Sequence, residues 1–210
     1  NVGGRATGTW TGTATGLAMR QETRVDTLAS WVVVTTYFWN TSAGPVSNVY
    51  YMRSTDPDND VTWPGGSFFT NNMVNFQNDA DHRVEVTGTG GSTTLPTLGL
   101  GTKDCRAVAL VYDFWPLTVT QDISALWNQT YTPASYAVGV NDPGDIGIAL
   151  VYNLGTIAPG DSAVISYAYI FNGVNGIDSA FPEPGLVVNG VYAPPIGPAP
   201  SPTFDTFDMC

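Results

Sequence analysis

Apolar and polar positions alternate with a period of two along most of the chain, and no window sustains the 3.6-residue period of an amphipathic helix. The alternation predicts strands over 6–19 (ATGTWTGTATGLAM), 30–39 (SWVVVTTYFW), 47–54, 66–76, 82–89, 106–114, 135–140, 145–155 and 161–171. Clusters of Gly, Pro, Asn and Asp, such as WPGG, GTGGSTTLP, NDPGD and IAPGD, separate them and supply the turns. Only 122–129 (DISALWNQ) reads as a short helix, capped by Asp122. Regular strands with frequent turn signals predict an all-β fold, an antiparallel two-sheet β-sandwich. In 161–171 Pro159 and Gly160 set the entry turn, and both faces of the strand carry bulk: Val164 and Ile170 on one, Ile165, Tyr167 and Tyr169 on the other. Such a strand is expected to be interior or covered by a partner.

The texture changes after Phe171. The run APPIGPAPSP (193–202) favours an extended polyproline II path, and Phe204, Phe207 and Met209 beyond it predict an anchored tail. The expected organisation is a β-sandwich domain over 1–182 and a Pro-rich extended C-terminal arm over 183–210. Residues 1–16 are a second candidate arm. A chain opening on NVGG is expected to be a processed product or a piece of a longer polypeptide.

Composition narrows the classes. Charged residues are only 12% of the chain, so hydroxyls, amides and backbone make up most of the surface. Seven Lys plus Arg stand against 18 Asp plus Glu, with Lys103 the single lysine and His82 the single histidine. No basic run can neutralise phosphates, which argues against nucleic acid and anionic membrane surfaces as partners. No apolar run approaches the roughly 18 residues of a membrane span. The acidic, lysine-poor profile points to an extracellular, secreted or cell-surface location.

Cys105 and Cys210 are the two cysteines. In an oxidising compartment an internal bridge between them would close a long loop, for about 4–5 kcal/mol in the chain-entropy model. Two unrelated thiols, or Cys210 pairing with another chain, are the alternatives.

Asp56, Asp58 and Asp60 alternate in STDPDND and offer hard oxygen ligands for calcium, although the spacing is not that of an EF-hand. The competing reading is a strand stopped by Pro57, with the Asp side chains bonding the turn backbone. Asp79, Asp81 and His82 form a second acidic stretch, expected to be a solvated loop tip; were the two loops to meet, a shared calcium site would follow. No cofactor beyond this calcium is predicted. Glu22, Glu85 and Glu183 sit in no recognisable motif and no nucleophile elbow is present, so no catalytic residue is assigned. Trp63 and Trp115, both in loops, are candidates for stacking on sugars, against the plainer role of closing the ends of a core. Asn40 and Asn128 satisfy the N-glycosylation sequon, and Ser201 and Thr203, flanked by prolines, are candidate O-glycosylation sites.

The runs NVYYMRSTDPDNDV, GGSFFTNNMVNFQNDADHRVEVTGTGG, LPTLGLGTKDCRA and DPGDIGIALVYNLGTIAPGDSAVISYAYIF, within residues 30–171, resemble a β-sandwich module of large extracellular and cell-surface proteins. The resemblance implies an extracellular, non-catalytic role in a surface or fibre. Cys105 and the Pro-rich arm depart from it. The expected function is a secreted, glycosylated structural protein assembling with copies of itself into a fibre, filament or sheath, through an arm or strand added to a neighbour's open sheet edge. The alternative is a calcium- or carbohydrate-binding adhesion module acting as a monomer.

Overall fold

The computed structural model describes residues 4–113, 122–171 and 176–181. Among them the chain forms strands β1 (Arg5–Ala14), β2 (Leu17–Asp26), β3 (Trp31–Asn40), β4 (Val46–Thr55), β5 (Thr70–Gln77), β6 (Val84–Thr89), β7 (Thr97–Thr102), β8 (Ala107–Tyr112), β9 (Asn141–Gly144), β10 (Gly147–Ile157) and β11 (Ser162–Phe171). Two short helices, α1 (Ile123–Trp127) and α2 (Gly176–Ala180), complete it. The strands make two antiparallel sheets, one ordered β1-β2-β3-β11-β7-β6-β5-β9 and a smaller one ordered β4-β10-β8. The fold is the two-sheet antiparallel sandwich that the alternation predicts. The 183–210 arm lies outside the described residues.

The core lies where the smaller sheet covers the middle of the larger one. Val34, Phe38, Val74, Val84, Val86, Leu100, Ile165 and Tyr167 of the larger sheet meet Val49, Ala109, Val111, Ile148, Leu150 and Tyr152 of the smaller. Each large apolar side chain buried there contributes about 2 kcal/mol. The rings of Phe38, Tyr152 and Tyr167 surround Tyr51, with centroids 5.6, 6.1 and 6.2 Å away. Tyr51 and Tyr167 share a hydroxyl–hydroxyl bond of 3.2 Å.

Strands with bulk on both faces are covered on both faces by their own chain. Every residue of β8 is buried, and Leu110 and Tyr112 pack with Ala149, Val151 and Leu126 of α1 in a second cluster on the smaller sheet's far side. Asp122 caps α1 as expected, its side chain accepting from Ser124 N. On the larger sheet's far side α2 lays Ile177 and Ala180 on Val33, Ala168 and Ile170. The bulk on both faces of 161–171 is therefore satisfied within the chain and needs no partner.

Several expectations are corrected. The segment 6–19 is two strands, because Thr15 and Gly16 take positive φ values of 49° and 82° and reverse the chain; the Thr alternation runs straight through this turn and hides it. Of the candidate arm 1–16, the described part is not free, since Arg5–Ala14 pairs along its whole length with β2. The predicted strand 135–140 contributes only isolated bridges at Ser135 and Val138. The pairing instead falls on Asn141–Gly144, where Pro143 is tolerated because β9 is an edge strand. β7, rich in glycine, and α2 carry too little apolar pattern to be predicted.

Candidate functional site

Two features stand apart from the core: a hairpin projecting beyond the smaller sheet, and a cluster of carboxylates at the end of β4.

The hairpin β1–β2 forms one edge of the larger sheet. Its two-residue turn has positive φ at both positions, the type I′ geometry whose twist suits a tight hairpin. In such a hairpin the residues flanking the turn, Ala14 and Leu17, form a hydrogen-bonded pair, and bonded pairs recur at every second residue. Thr27 N donates to Gly4 O at 3.0 Å, in the same phase. Gly8, Trp10 and Gly12 therefore bond β2, whereas the main-chain groups of Thr7, Thr9, Thr11 and Thr13 point outward from the sheet. All four threonines are exposed, and among the described residues β1 pairs with β2 alone.

The other three sheet edges are guarded. At β8, Ser135 exchanges two backbone bonds with Val111, at 2.8 and 2.9 Å. β9 is only 4 residues long and contains Pro143. β4 carries Arg53 and a positive φ at Asn48, and its register with β10 shifts twice. β1 is 10 residues long, keeps an unbroken register with β2, and holds neither lysine nor proline. Its one charge, Arg5, stands at the first position, and among the described residues no bulge, proline or covering segment protects the rest of this edge.

The faces of the hairpin are also open. Trp10 is 54% exposed, and its ring lies over Gly12, where any Cβ would collide with it. Val25 and Leu28 are exposed nearby in sequence. On the sheet's far side Tyr37 and Trp39 stack 5.7 Å apart, with the Arg20 guanidinium 4.7 Å from the Tyr37 centroid. Arg5 pairs with Asp26 at 2.8 Å and Arg20 with Glu22 at 2.9 Å. The hairpin carries three arginines against two carboxylates, in a chain of formal net charge −11.

The carboxylate cluster is Asp56, Asp58 and Asp145, with ligand oxygens within 4.8 Å of one another. The antiparallel register creates it: Thr55 lies opposite Ile148, so the residue after β4 meets the residues before β10. Burial, then the Asp56 and Asp145 charges, raise the Asp58 carboxyl to about 6; burial, then Asp145, raise Asp56. One Asp58 oxygen is buried with no hydrogen-bond partner. An all-oxygen donor set with crowded negative charge suits calcium better than zinc, whose sites are built mainly on nitrogen and sulfur.

Asp60 does not belong to this group. It is 1% exposed, and its Oδ2 accepts from Ser92 N at 2.6 Å, a bond that lowers its carboxyl below the usual range. Asn59 donates to Gly88 O at 2.7 Å and to Pro96 O at 3.2 Å, tying the same loop to β6 and to the end of the β6–β7 connection. The expected trio Asp56, Asp58, Asp60 is thus corrected: Asp60 is a turn former, and Asp145 takes its place. Sequence spacing cannot show this, because the third carboxylate arrives through strand pairing.

The second acidic stretch stays separate. Asp79 accepts from Asp81 N and Arg83 N and pairs with the Arg83 side chain at 2.7 Å, forming a self-contained turn with His82 exposed. Arg83 and Lys103 both reach Asp178 and so tether α2.

Asn40 is 2% exposed, and its Nδ2 donates to Gly44 O and to Ile157 O, each at 2.8 Å. Both amide hydrogens are used and the residue is buried, so the expected glycan at Asn40 does not fit this fold. Asn40 instead stitches the β3–β4 and β10–β11 connections, with Oδ1 accepting from Ser42 N and Oγ. Asn128 is exposed at the C-terminus of α1 and stays open to modification. Trp63 is 47% exposed in a loop that also exposes Phe68 and Phe69. Cys105 is not a free thiol. Trp115, Ser201, Thr203 and Cys210 lie outside the described residues.

No family model matches the chain, and no curated protein matches it.

Proposed function

We infer that the chain is an extracellular structural subunit that assembles with copies of itself into a fibre, filament or sheath through strand addition at an open sheet edge. The observation that carries this reading is the unguarded β1 edge, 10 residues long and exposed on both faces. Burial of such an edge by another chain supplies main-chain hydrogen bonds, and an approach over few charges costs little desolvation. The reading includes a Cys105–Cys210 bridge and glycans on Asn128, Ser201 and Thr203, and assigns no catalytic role. The resemblance to extracellular β-sandwich modules agrees with it. Electron microscopy of native material tests it: regular filaments support assembly, and isolated particles at every concentration contradict it.

A second reading rests on the Asp56, Asp58 and Asp145 cluster together with the exposed Trp63 loop: a calcium- or carbohydrate-binding adhesion module that works as a monomer. Saturable heat of calcium or glycan binding, measured on a monodisperse monomer, would favour it.

A further inference from the structure

We propose that the outward main-chain groups of Thr7, Thr9, Thr11 and Thr13 receive residues 185–192 (GLVVNGVY) of a second copy's arm, adding one strand to the larger sheet beyond β1. The inference rests on the assembly reading above and deepens it by naming the two mating elements. The acceptor follows from hairpin phase: the odd-numbered threonines direct N–H and C=O away from β2, along an edge with no proline, lysine or bulge. Among the described residues β1 pairs with β2 alone, and the proposal takes its second partner from another copy.

The arm is favoured over a second β1 by three observations. Within 182–210, GLVVNGVY is a β-type run closed on one side by Pro184 and on the other by Pro194, residues that cannot continue a ladder. Its length matches the span from Thr7 to Thr13. The arm holds Glu183, Asp205 and Asp208 and no basic residue, whereas the hairpin it would meet sets Arg5, Arg20 and Arg24 against Glu22 and Asp26 and so keeps a small positive excess. Pairing β1 with β1 would bring two hairpins of like net charge together instead. Because donor and acceptor are different surfaces, the contact is head to tail, the kind that builds an open filament when successive copies do not close on themselves.

The test uses the full-length chain and two single variants. Thr9→Pro removes an outward N–H without touching a bond to β2; Val188→Pro disables the donor run. Sedimentation velocity on wild type is expected to show long assemblies, and each variant alone to lose them by more than tenfold in assembled fraction. Mixed in equal amounts, the variants are expected to form a two-chain complex and nothing longer, because one supplies the live arm and the other the live edge. A synthetic peptide of residues 183–194 in excess is expected to block wild-type assembly, and decides the matter should Thr9→Pro fail to fold. Wild-type-like assembly of either variant, or indifference to the peptide, overturns the pairing while leaving assembly intact; loss with Thr9→Pro alone points to β1 meeting β1. A wild-type chain monomeric at every concentration overturns the assembly reading itself, and this inference with it.

Discussion

β10 and β1 belong to the same two-sheet sandwich, yet they are stabilised in opposite ways. Gly147–Tyr152 of β10 is buried throughout, between the core on one face and the α1 segment on the other. β1 shows nine of its ten residues to solvent and, among the described residues, rests on β2 alone. Its composition fits: β10 spends Ile, Leu, Val and Tyr on packing, while β1 alternates threonine with Gly, Ala and one Trp. A strand that buries little apolar surface adds little to folding. The contrast separates residues that hold the subunit together from residues available to hold subunits to each other.

Substitutions ranked by expected loss sharpen that division. Leu150→Ala, at a fully buried core position, is expected to cost roughly 3 kcal/mol in denaturant unfolding. Asn40→Ala removes four hydrogen bonds beneath the β3–β4 turn, among them the buried bond to Ile157 O, while Gly44 O keeps its bond from Ser42 Oγ, for about 2 kcal/mol in the same assay. A loss as small as that of an exposed asparagine would contradict its stitching role. Asp58→Asn has the opposite sign. The folded Asp58 carboxyl is raised to about 6 from 3.8, so its contribution is full below the unfolded value and is lost as pH rises towards 6. Without divalent ions the variant is therefore expected to be more stable than wild type at pH 7.5, by on the order of 1 kcal/mol after solvent screening, with no advantage by pH 4. Equal stability of variant and wild type at both pH values would show that neither burial nor the neighbouring carboxylates raise Asp58. Trp10→Ala, despite deleting the largest side chain of β1, is expected to shift stability by less than about 0.5 kcal/mol. A core-sized loss there would erase the distinction between the two regions.

Sequence alternation revealed the sandwich because most strands have one face on the core, and period two follows from that geometry. Where it failed, the physical cause is local. Thr15 and Gly16 continue the small-residue rhythm of β1, so the reversal is visible only in their positive φ. Asn141–Gly144 reads as a turn by composition, and becomes a strand because β5 offers it an edge, with Asn72 Nδ2 reaching Asp142 O at 3.3 Å. The acidic cluster was half legible: Asp56 and Asp58 stand beside each other in the chain, but Asp145 joins them only through the β4–β10 register. Asn40 satisfies a sequon and is nevertheless buried, since a three-residue pattern carries no information about tertiary burial. The open edge needed the strand order, although the want of lysine and proline in β1 was already written in its residues.

Residue-resolved hydrogen exchange on the β1 amides, compared between dispersed and assembled protein, bears most directly on the central claim. Thr7, Thr9, Thr11 and Thr13 are expected to exchange rapidly when dispersed and to slow by at least tenfold on assembly, while Gly8, Trp10 and Gly12 change little. Equally rapid exchange of the four threonine amides in both states would mean that β1 is not where copies of this chain meet.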